Sequence, residues 1–129
     1  MIFWIALGSA LGGAGRYLFG GAVQRWTPGD FPLGTLAINV IGSLLLGFIV
    51  RYALETPAIS AEVRAFLTIG FCGGFTTFST FSYESAVLLQ KGEWSRLALY
   101  AGFSMALTIA ATLAGFALAS QMLTLRRSL

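Results

Sequence analysis

The sequence predicts an all-α membrane protein with four transmembrane helices in a single domain covering residues 1–129. Hydrophobic residues make up 57% of the chain, charged residues only 10%, and the mean hydropathy is +0.80. These values lie outside the range of ordinary soluble domains. Long charge-free stretches separated by short polar connections are the second observation. The third is a run rich in glycine and hydroxyl residues inside the third stretch.

Four stretches are long enough to cross a bilayer, because about 20 apolar residues span roughly 30 Å of hydrocarbon. Three of them contain charge-free segments of 20, 19 and 29 residues, at 31–50, 65–83 and 97–125. The first is interrupted only by Arg16, and it lacks the basic segment that opens a signal peptide. The predicted helices therefore cover residues 2–24, 32–53, 63–89 and 95–124.

The third helix is predicted to be broken in the middle of the membrane. The run from Gly70 to Phe81 reads Gly-Phe-Cys-Gly-Gly-Phe-Thr-Thr-Phe-Ser-Thr-Phe, a poor composition for a regular helix. Unpaired backbone groups inside a membrane are tolerated only where they pack in protein or line an aqueous or ionic site. Broken helices of this kind form ion sites near the midplane of transport proteins. The run therefore indicates ion handling.

Polar side chains on the second and fourth helices predict a lined path. Each set recurs at helical spacing on one face: Thr35, Asn39, Gly42 and Ser43 on the second helix, and Tyr100, Ser104, Thr108 and Thr112 on the fourth. These hydroxyl and amide groups donate hydrogen bonds without carrying charge. Asn39 either donates to an anion or binds a neighbouring backbone group. Serine and threonine either line a path or bond back to their own helix.

Two aromatic residues follow the predicted break. Phe78 and Phe81 are one turn apart and share a ridge with Thr77 and Glu84. A ring edge is electropositive and favours an anion, whereas a ring face favours a cation, and the sequence leaves this choice open. The helix beginning after the break would also point its positive dipole end at the midplane. Freed carbonyls near residues 73–76 could at the same time coordinate a hard cation such as Na⁺.

Basic residues are balanced between the two membrane faces. If four helices cross, each face receives four basic residues: Arg51, Arg64, Arg126 and Arg127 on one, and Arg16, Arg25, Lys91 and Arg96 on the other. The positive-inside bias is then absent, which predicts insertion in both orientations and an antiparallel homodimer. If Arg16 lies inside the membrane, the count becomes four against three and the bias remains weak.

Small residues on the first helix indicate close helix packing. Gly8, Gly12 and Gly15 recur at i, i+4 and i+7, so another backbone can approach this face. The partner is either a second subunit or another helix of the same chain. Arg16 follows this face, and it either extends towards the membrane surface or takes part in the pathway.

The residue inventory argues against an enzyme. There is no histidine, Cys72 is the only cysteine, and no acidic pair stands at metal-ligand spacing. Two other functions remain as alternatives. A small multidrug-type proton-coupled carrier depends on an acid within its first helix, and this chain has none there. In a non-conducting membrane assembly protein, the polar stripes would serve only to hold helices together.

The chain resembles the small dual-topology fluoride channels of the Fluc family along nearly its whole length. Four blocks carry the resemblance: the glycine-rich block ending in Arg16-Tyr17, Gly34-Thr35-Leu36 followed by Asn39 and Gly42, the signature run 70–81, and Tyr100 with Ser104. Ser9, Gly13 and Leu44 depart from residues frequent in that family, and these changes affect packing more than chemistry.

The resemblance implies an antiparallel homodimer in the inner or plasma membrane that exports fluoride passively through two pathways. It implies that each anion pathway is lined by Asn39, Phe78, Phe81, Tyr100, Ser104 and Thr108. It implies accessory roles for Arg16, Thr77, Thr80 and Glu84. Backbone carbonyls of Gly73 and Thr76 from both subunits would hold a structural sodium ion. No organic cofactor and no nucleic-acid partner are expected.

Overall fold

The computed structural model describes residues 1–129 and is entirely helical. We number its helices α1 to α5 in chain order. The bounds are Ile2–Trp26 for α1, Leu33–Glu55 for α2, residues 61–75 for α3, Phe78–Gln90 for α4 and Trp94–Ser128 for α5. Within α3, the segment Ala61–Ala65 is α-helical, Phe66–Cys72 forms a π-helix, and Gly73–Phe75 returns to α-helical geometry.

Three helices, α1, α2 and α5, are long and apolar enough to cross a membrane. The predicted third span, residues 63–89, is instead divided between α3 and α4. The 13 residues of α4 extend about 20 Å, so α4 by itself is shorter than the hydrocarbon layer. The fourth predicted helix continues beyond residue 124 to Ser128, where Arg126 and Arg127 favour a helical C-terminus.

The interruption falls at two threonines and leaves the glycine pair helical. Thr76 has φ −86° and ψ 160°, and Thr77 has φ −152° and ψ 125°, so both are extended. The composition predicts loosened backbone at Gly73-Gly74, but both glycines lie in the last turn of α3. Gly74 packs closely on α1, because a Cβ there would lie 2.6 Å from the Ser9 carbonyl oxygen.

The glycine face of α1 packs against α3 of the same chain. A Cβ on Gly8 would overlap the carbonyl oxygen of Phe66, and one on Gly12 would overlap that of Phe71. Gly70 of α3 is in turn so close to α1 that its Cβ would lie 2.9 Å from the Gly8 Cα. This close approach assigns the predicted small-residue face to packing within the subunit.

A small core joins α2, α4 and α5. Its buried members are Leu36, Leu88 and Tyr100, with Phe31 and Phe81 packed around them. Only 19 of the 129 residues are buried, so most apolar side chains face outward, as expected of a chain surrounded by lipid or by another membrane subunit. The core fixes α4 and α5 at the position where the polar residues of α2 meet them.

Substitution of Gly12 by alanine is predicted to destabilise the fold. The added methyl group must displace the α3 backbone, so we expect a loss of about 1–3 kcal/mol in the free energy of unfolding. The measurement is thermal unfolding of the detergent-solubilised protein. Gly21→Ala on the same helix is the control, because nothing lies within 4 Å of its added Cβ. Equal stability of the two variants would contradict the packing described for α1 and α3.

Candidate functional site

Asn39 of α2 binds the extended backbone between α3 and α4. Its Nδ2 donates to the Thr77 carbonyl at 3.0 Å, and its Oδ1 accepts from the Thr77 amide at 2.8 Å. One carboxamide thereby satisfies both backbone groups of a residue that has left the helix. Of the two arrangements open to Asn39, the structure shows the bond to a neighbouring backbone, and its second N–H proton is not used by the protein.

The backbone carbonyls in the last turn of α3 lose their helical partners at this point, and for two of them the amide's new partner is seen. In a continuous α-helix, the Gly73 carbonyl would accept from the Thr77 amide and the Thr76 carbonyl from the Thr80 amide. The Thr77 amide is bound by Asn39, and the Thr80 amide donates to the Thr77 hydroxyl at 3.2 Å. The Thr76 carbonyl instead accepts from Nη1 of Arg16 at 3.3 Å.

Arg16 contacts the same extended segment. It is half-buried and reaches from α1 to the Thr76 carbonyl. The glycine packing of α1 on α3 brings the guanidinium close enough for this bond. Arg16 of α1 therefore holds the extended segment together with Asn39 of α2.

Glu84 connects three helices. Its Oε1 accepts from the Thr35 hydroxyl at 2.6 Å, and its Oε2 accepts from the Tyr100 hydroxyl at 3.0 Å. Hydrogen bonds to a carboxylate are shorter and stronger than bonds between neutral groups, so this contact orders α2, α4 and α5 around one charge.

Two cavities meet at the extended segment. The first, which we call the vestibule, has a volume of about 830 Å³ and is lined mainly by polar and glycine residues of α1, α2 and α4, including Arg16, Gln24, Arg25, Asp30, Thr35, Thr77, Thr80, Glu84 and Lys91. The second, which we call the groove, has a volume of about 610 Å³ and lies between α2, α4 and α5. Thr77 borders both, so the segment held by Asn39 is the boundary between them.

Most of the predicted site residues line one of these cavities. The groove is lined by Asn39, Thr76, Thr77, Phe78, Phe81, Ser104 and Thr108, and the vestibule by Arg16, Thr77, Thr80 and Glu84. Tyr100 and Gly73 line neither cavity. Tyr100 is fully buried behind Phe81, with ring centroids 5.1 Å apart, because Glu84 binds its hydroxyl.

The hydroxyl groups of α5 differ in whether they donate a hydrogen bond within the chain. Thr108 donates to the Ser104 carbonyl at 2.6 Å, and Thr112 donates to the Thr108 carbonyl at 3.0 Å. These are bonds back to the same helix, the arrangement that the sequence left open. The Ser104 hydroxyl is buried and has no partner. In this chain the unused side-chain donors at the groove are therefore the Ser43 and Ser104 hydroxyls and one N–H of Asn39.

The two aromatic rings stand at the outer side of the groove. Phe78 and Phe81 have ring centroids 5.5 Å apart and planes inclined at 40°. Phe81 is half-buried against Tyr100, whereas Phe78 is 78% exposed. The extended conformation of Thr76 and Thr77 starts α4 at Phe78, and this places both rings beside the groove.

Gln24 was not predicted as a functional residue. Its Nε2 donates to the Phe31 carbonyl at 2.9 Å, and its Oε1 accepts from the Gly34 amide at 2.9 Å. It thereby caps the start of α2, which has no side-chain cap of its own, and shapes the vestibule. A polar amide at the end of an otherwise apolar span was the available sequence signal.

Asn39→Ala is predicted to lower the free energy of unfolding by about 2–4 kcal/mol, because it leaves two backbone groups of Thr77 without partners. Asn39→Asp is more diagnostic. An ionised carboxylate accepts from the Thr77 amide but repels the Thr77 carbonyl, whereas the protonated acid restores both bonds. The stability of the Asp variant should therefore be greatest at low pH and fall as pH rises through the carboxyl titration.

Thermal unfolding across a pH series measures this difference. Ser43→Ala is the matched control on the same face of α2, because the Ser43 hydroxyl makes no hydrogen bond. We expect the Ala variants at positions 39 and 43 to show the pH dependence of the unsubstituted protein. An Asp variant with that same dependence would show that the Asn39 contact does not hold Thr77.

Comparison with known proteins gives consistent matches along the chain. The family described as CrcB-like protein, Camphor Resistance (CrcB), matches residues 3–116. A protein of Geobacter sulfurreducens is 49% identical over 121 residues, which cover 94% of this chain and 98% of the relative. A protein of Nitratidesulfovibrio vulgaris is 44% identical, covering 84% and 88%, and one of Thermus thermophilus is 46% identical, covering 88% and 90%.

All three relatives are named fluoride-specific ion channel FluC, the name of a channel and not of an enzyme. The match confirms the family resemblance drawn from the signature run and the flanking blocks. Together with the three apolar helices, it identifies a multi-pass membrane protein. The chain belongs to the CrcB-like family, whose members named FluC are the Fluc channels that its sequence resembles.

Proposed function

We propose that this chain forms a fluoride-selective passive channel that exports fluoride from the cytoplasm and so relieves fluoride toxicity. The observation that carries the proposal is the meeting of vestibule and groove at Thr77, where the unused donors of the groove are uncharged. The sequence identity of 49% and 44% between this chain and two proteins named as fluoride-specific channels supports the choice of ion.

The available donors suit a small anion that must pass without being trapped. Moving a bare ion into a low-dielectric interior costs tens of kcal/mol, so protein donors must replace its water. The Ser104 hydroxyl and the second Asn39 N–H provide such donors at the groove. Positive ring edges of Phe78 and Phe81 would add to them. Because these groups carry no net charge, they allow the ion to leave again.

Electrostatics favour anion entry at the vestibule. Its lining includes the basic side chains Arg16, Arg25 and Lys91 against the acidic side chains Asp30 and Glu84. The Glu84 carboxylate already accepts two hydroxyl bonds, which satisfy part of its charge. A cleft with an excess of basic groups raises the local concentration of anions.

In this proposal α3, the extended threonines and α4 together form the third membrane span. The helix interruption would then lie inside the bilayer, where freed backbone is tolerated because α1 and α2 cover it. The bonds from Arg16 and Asn39 provide that cover. The four crossings predicted from the sequence follow from this arrangement.

The open side of the groove supports a dimer. Its lining contains polar side chains and an unpartnered buried hydroxyl, and Phe78 beside it is 78% exposed. Exposing these polar groups to lipid tails would be costly, so a second membrane chain is the fitting cover. Balanced basic residues on the two faces favour an antiparallel copy of the same chain, which would give two fluoride pathways per dimer.

The freed carbonyls suit a structural sodium ion in donor chemistry. Carbonyl oxygen is a hard ligand of the kind that such cations prefer. The Gly73 and Thr76 carbonyls are the two whose helical amides are bound elsewhere. The Thr76 oxygen retains a second lone pair beside its 3.3 Å bond to Arg16. The Gly73 and Thr76 carbonyls give two oxygens per chain, and an antiparallel pair would supply four from these positions.

Two other functions fit the residues less well. A proton-coupled carrier needs an exchangeable acid in the membrane, and the single candidate, Glu84, is bound by Thr35 and Tyr100. A non-conducting assembly protein would not require the unused donors at the groove. We therefore expect purified protein in fluoride-loaded liposomes to release fluoride rapidly without a proton gradient and to retain chloride.

Phe78→Ile and Phe81→Ile should each reduce this fluoride flux at least about tenfold, because aliphatic side chains lack a positive edge. The dimer should remain assembled in gel filtration. Phe103→Ile is the control, since Phe103 is an exposed residue of α5 outside the groove. Release that requires a proton gradient would indicate a carrier. No release from liposomes that contain correctly folded protein would indicate an assembly role. Unreduced flux in both groove variants would remove the aromatic lining from the pathway.

A further inference from the structure

A third cavity lies at the opposite end of the molecule from the vestibule. It has a volume of about 380 Å³ and is formed by the end of α2, the connection after it and the last turns of α5. Its lining residues are Glu55, Thr56, Pro57, Ala58, Leu123, Arg126 and Arg127. None of these residues belongs to the groove or the vestibule, so the proposed channel function leaves this cavity unexplained.

The charges around this cavity are not balanced. Glu55, its only acid, is paired with Arg51 at 2.5 Å. Arg126 donates to the Tyr52 hydroxyl and forms no ion pair within the chain. Arg127 has neither a hydrogen bond nor an ion pair. Two guanidinium groups therefore face a cavity whose carboxylate is already neutralised, and guanidinium geometry matches the oxygens of a phosphate group.

The position of the cavity corresponds to the lipid headgroup region. The helices α2 and α5 run in the same direction, because contacts progress from Gly47 with Thr112 to Tyr52 with Arg126. With 35 residues, α5 is about 52 Å long, which exceeds a bilayer of about 40–45 Å including headgroups. A helix of this length carries the arginines at its end out of the hydrocarbon to the level of lipid phosphates.

Apolar side chains next to the arginines complete a lipid-binding surface. On α5, Leu118, Met122 and Leu125 are exposed, whereas Leu123 lies buried beside the cavity. Acyl chains would pack on the exposed residues while the headgroup reaches the arginines. From these charges and this position, we propose that the cavity between the α2–α3 connection and the end of α5 binds the phosphate of an anionic phospholipid.

The test measures lipid binding to the full-length protein by native mass spectrometry. Phosphatidylglycerol and phosphatidylcholine with identical acyl chains are added to separate samples. The unsubstituted chain should retain one tightly bound phosphatidylglycerol and should prefer it over phosphatidylcholine. Each basic residue near a membrane surface contributes about fivefold to binding of anionic lipid, so R126Q/R127Q should weaken this binding about thirtyfold.

Lys91→Gln with Arg96→Gln is the matched control, because it removes two charges at the other end of the molecule. Its tight site should remain unchanged. Arg127→Gln alone removes no hydrogen bond or ion pair and should weaken lipid binding about fivefold. This single variant replaces the double variant in the test if the double variant does not fold.

Three outcomes would overturn the proposal. The first is equal retention of the two lipids, and the second is an equal loss of phosphatidylglycerol binding in the control variant. The third is unchanged phosphatidylglycerol binding in R126Q/R127Q, which would leave the arginines a role only at the helix terminus. As a fourth such outcome, inorganic phosphate that displaces the lipid at equal concentration would identify a free anion as the ligand. These measurements do not involve fluoride flux, so they stand apart from the proposed channel function.

Discussion

The pair of hydrogen bonds between the Asn39 carboxamide and the Thr77 backbone is the interaction on which the functional part of this fold depends. The Thr77 amide N–H donates to Asn39, so it is not available for the hydrogen bond that would continue α3 as a regular helix. The Thr77 hydroxyl then caps α4 through the Thr80 amide. Carbonyls at the end of α3, including those of Gly73 and Thr76, are freed. A new helix starts at Phe78, and its aromatic rings stand beside the groove.

Close packing makes this arrangement possible. Glycines on α1 and α3 allow the two backbones to touch, and this contact brings Arg16 to the Thr76 carbonyl. On the other side, the Leu36, Leu88 and Tyr100 core holds α2 against α4 and α5. The extended residues are thus covered by protein from two directions, which meets the requirement that a membrane sets for irregular backbone.

The apolar helices and the polar face of α2 were predictable because hydropathy and helical spacing are local properties. The interruption was predictable only to within a dozen residues. Its place at Thr76 and Thr77 depends on a side chain 38 positions away, and the glycine pair remains in the last turn of α3, where α1 packs against Gly74. The burial of Tyr100 and the bond of Thr108 to its own helix depend on rotamers and partners that spacing does not determine.

The backbone conformation of Thr76 and Thr77 in a lipid bilayer is the direct test of this account. Solid-state NMR of ¹³C- and ¹⁵N-labelled protein reports it through the Cα and Cβ chemical shifts of each threonine. We expect shifts of extended backbone at both residues, with helical shifts at Phe75 and Phe78 on either side. Helical shifts at both threonines would mean that residues 61–90 form one continuous helix and would contradict the account.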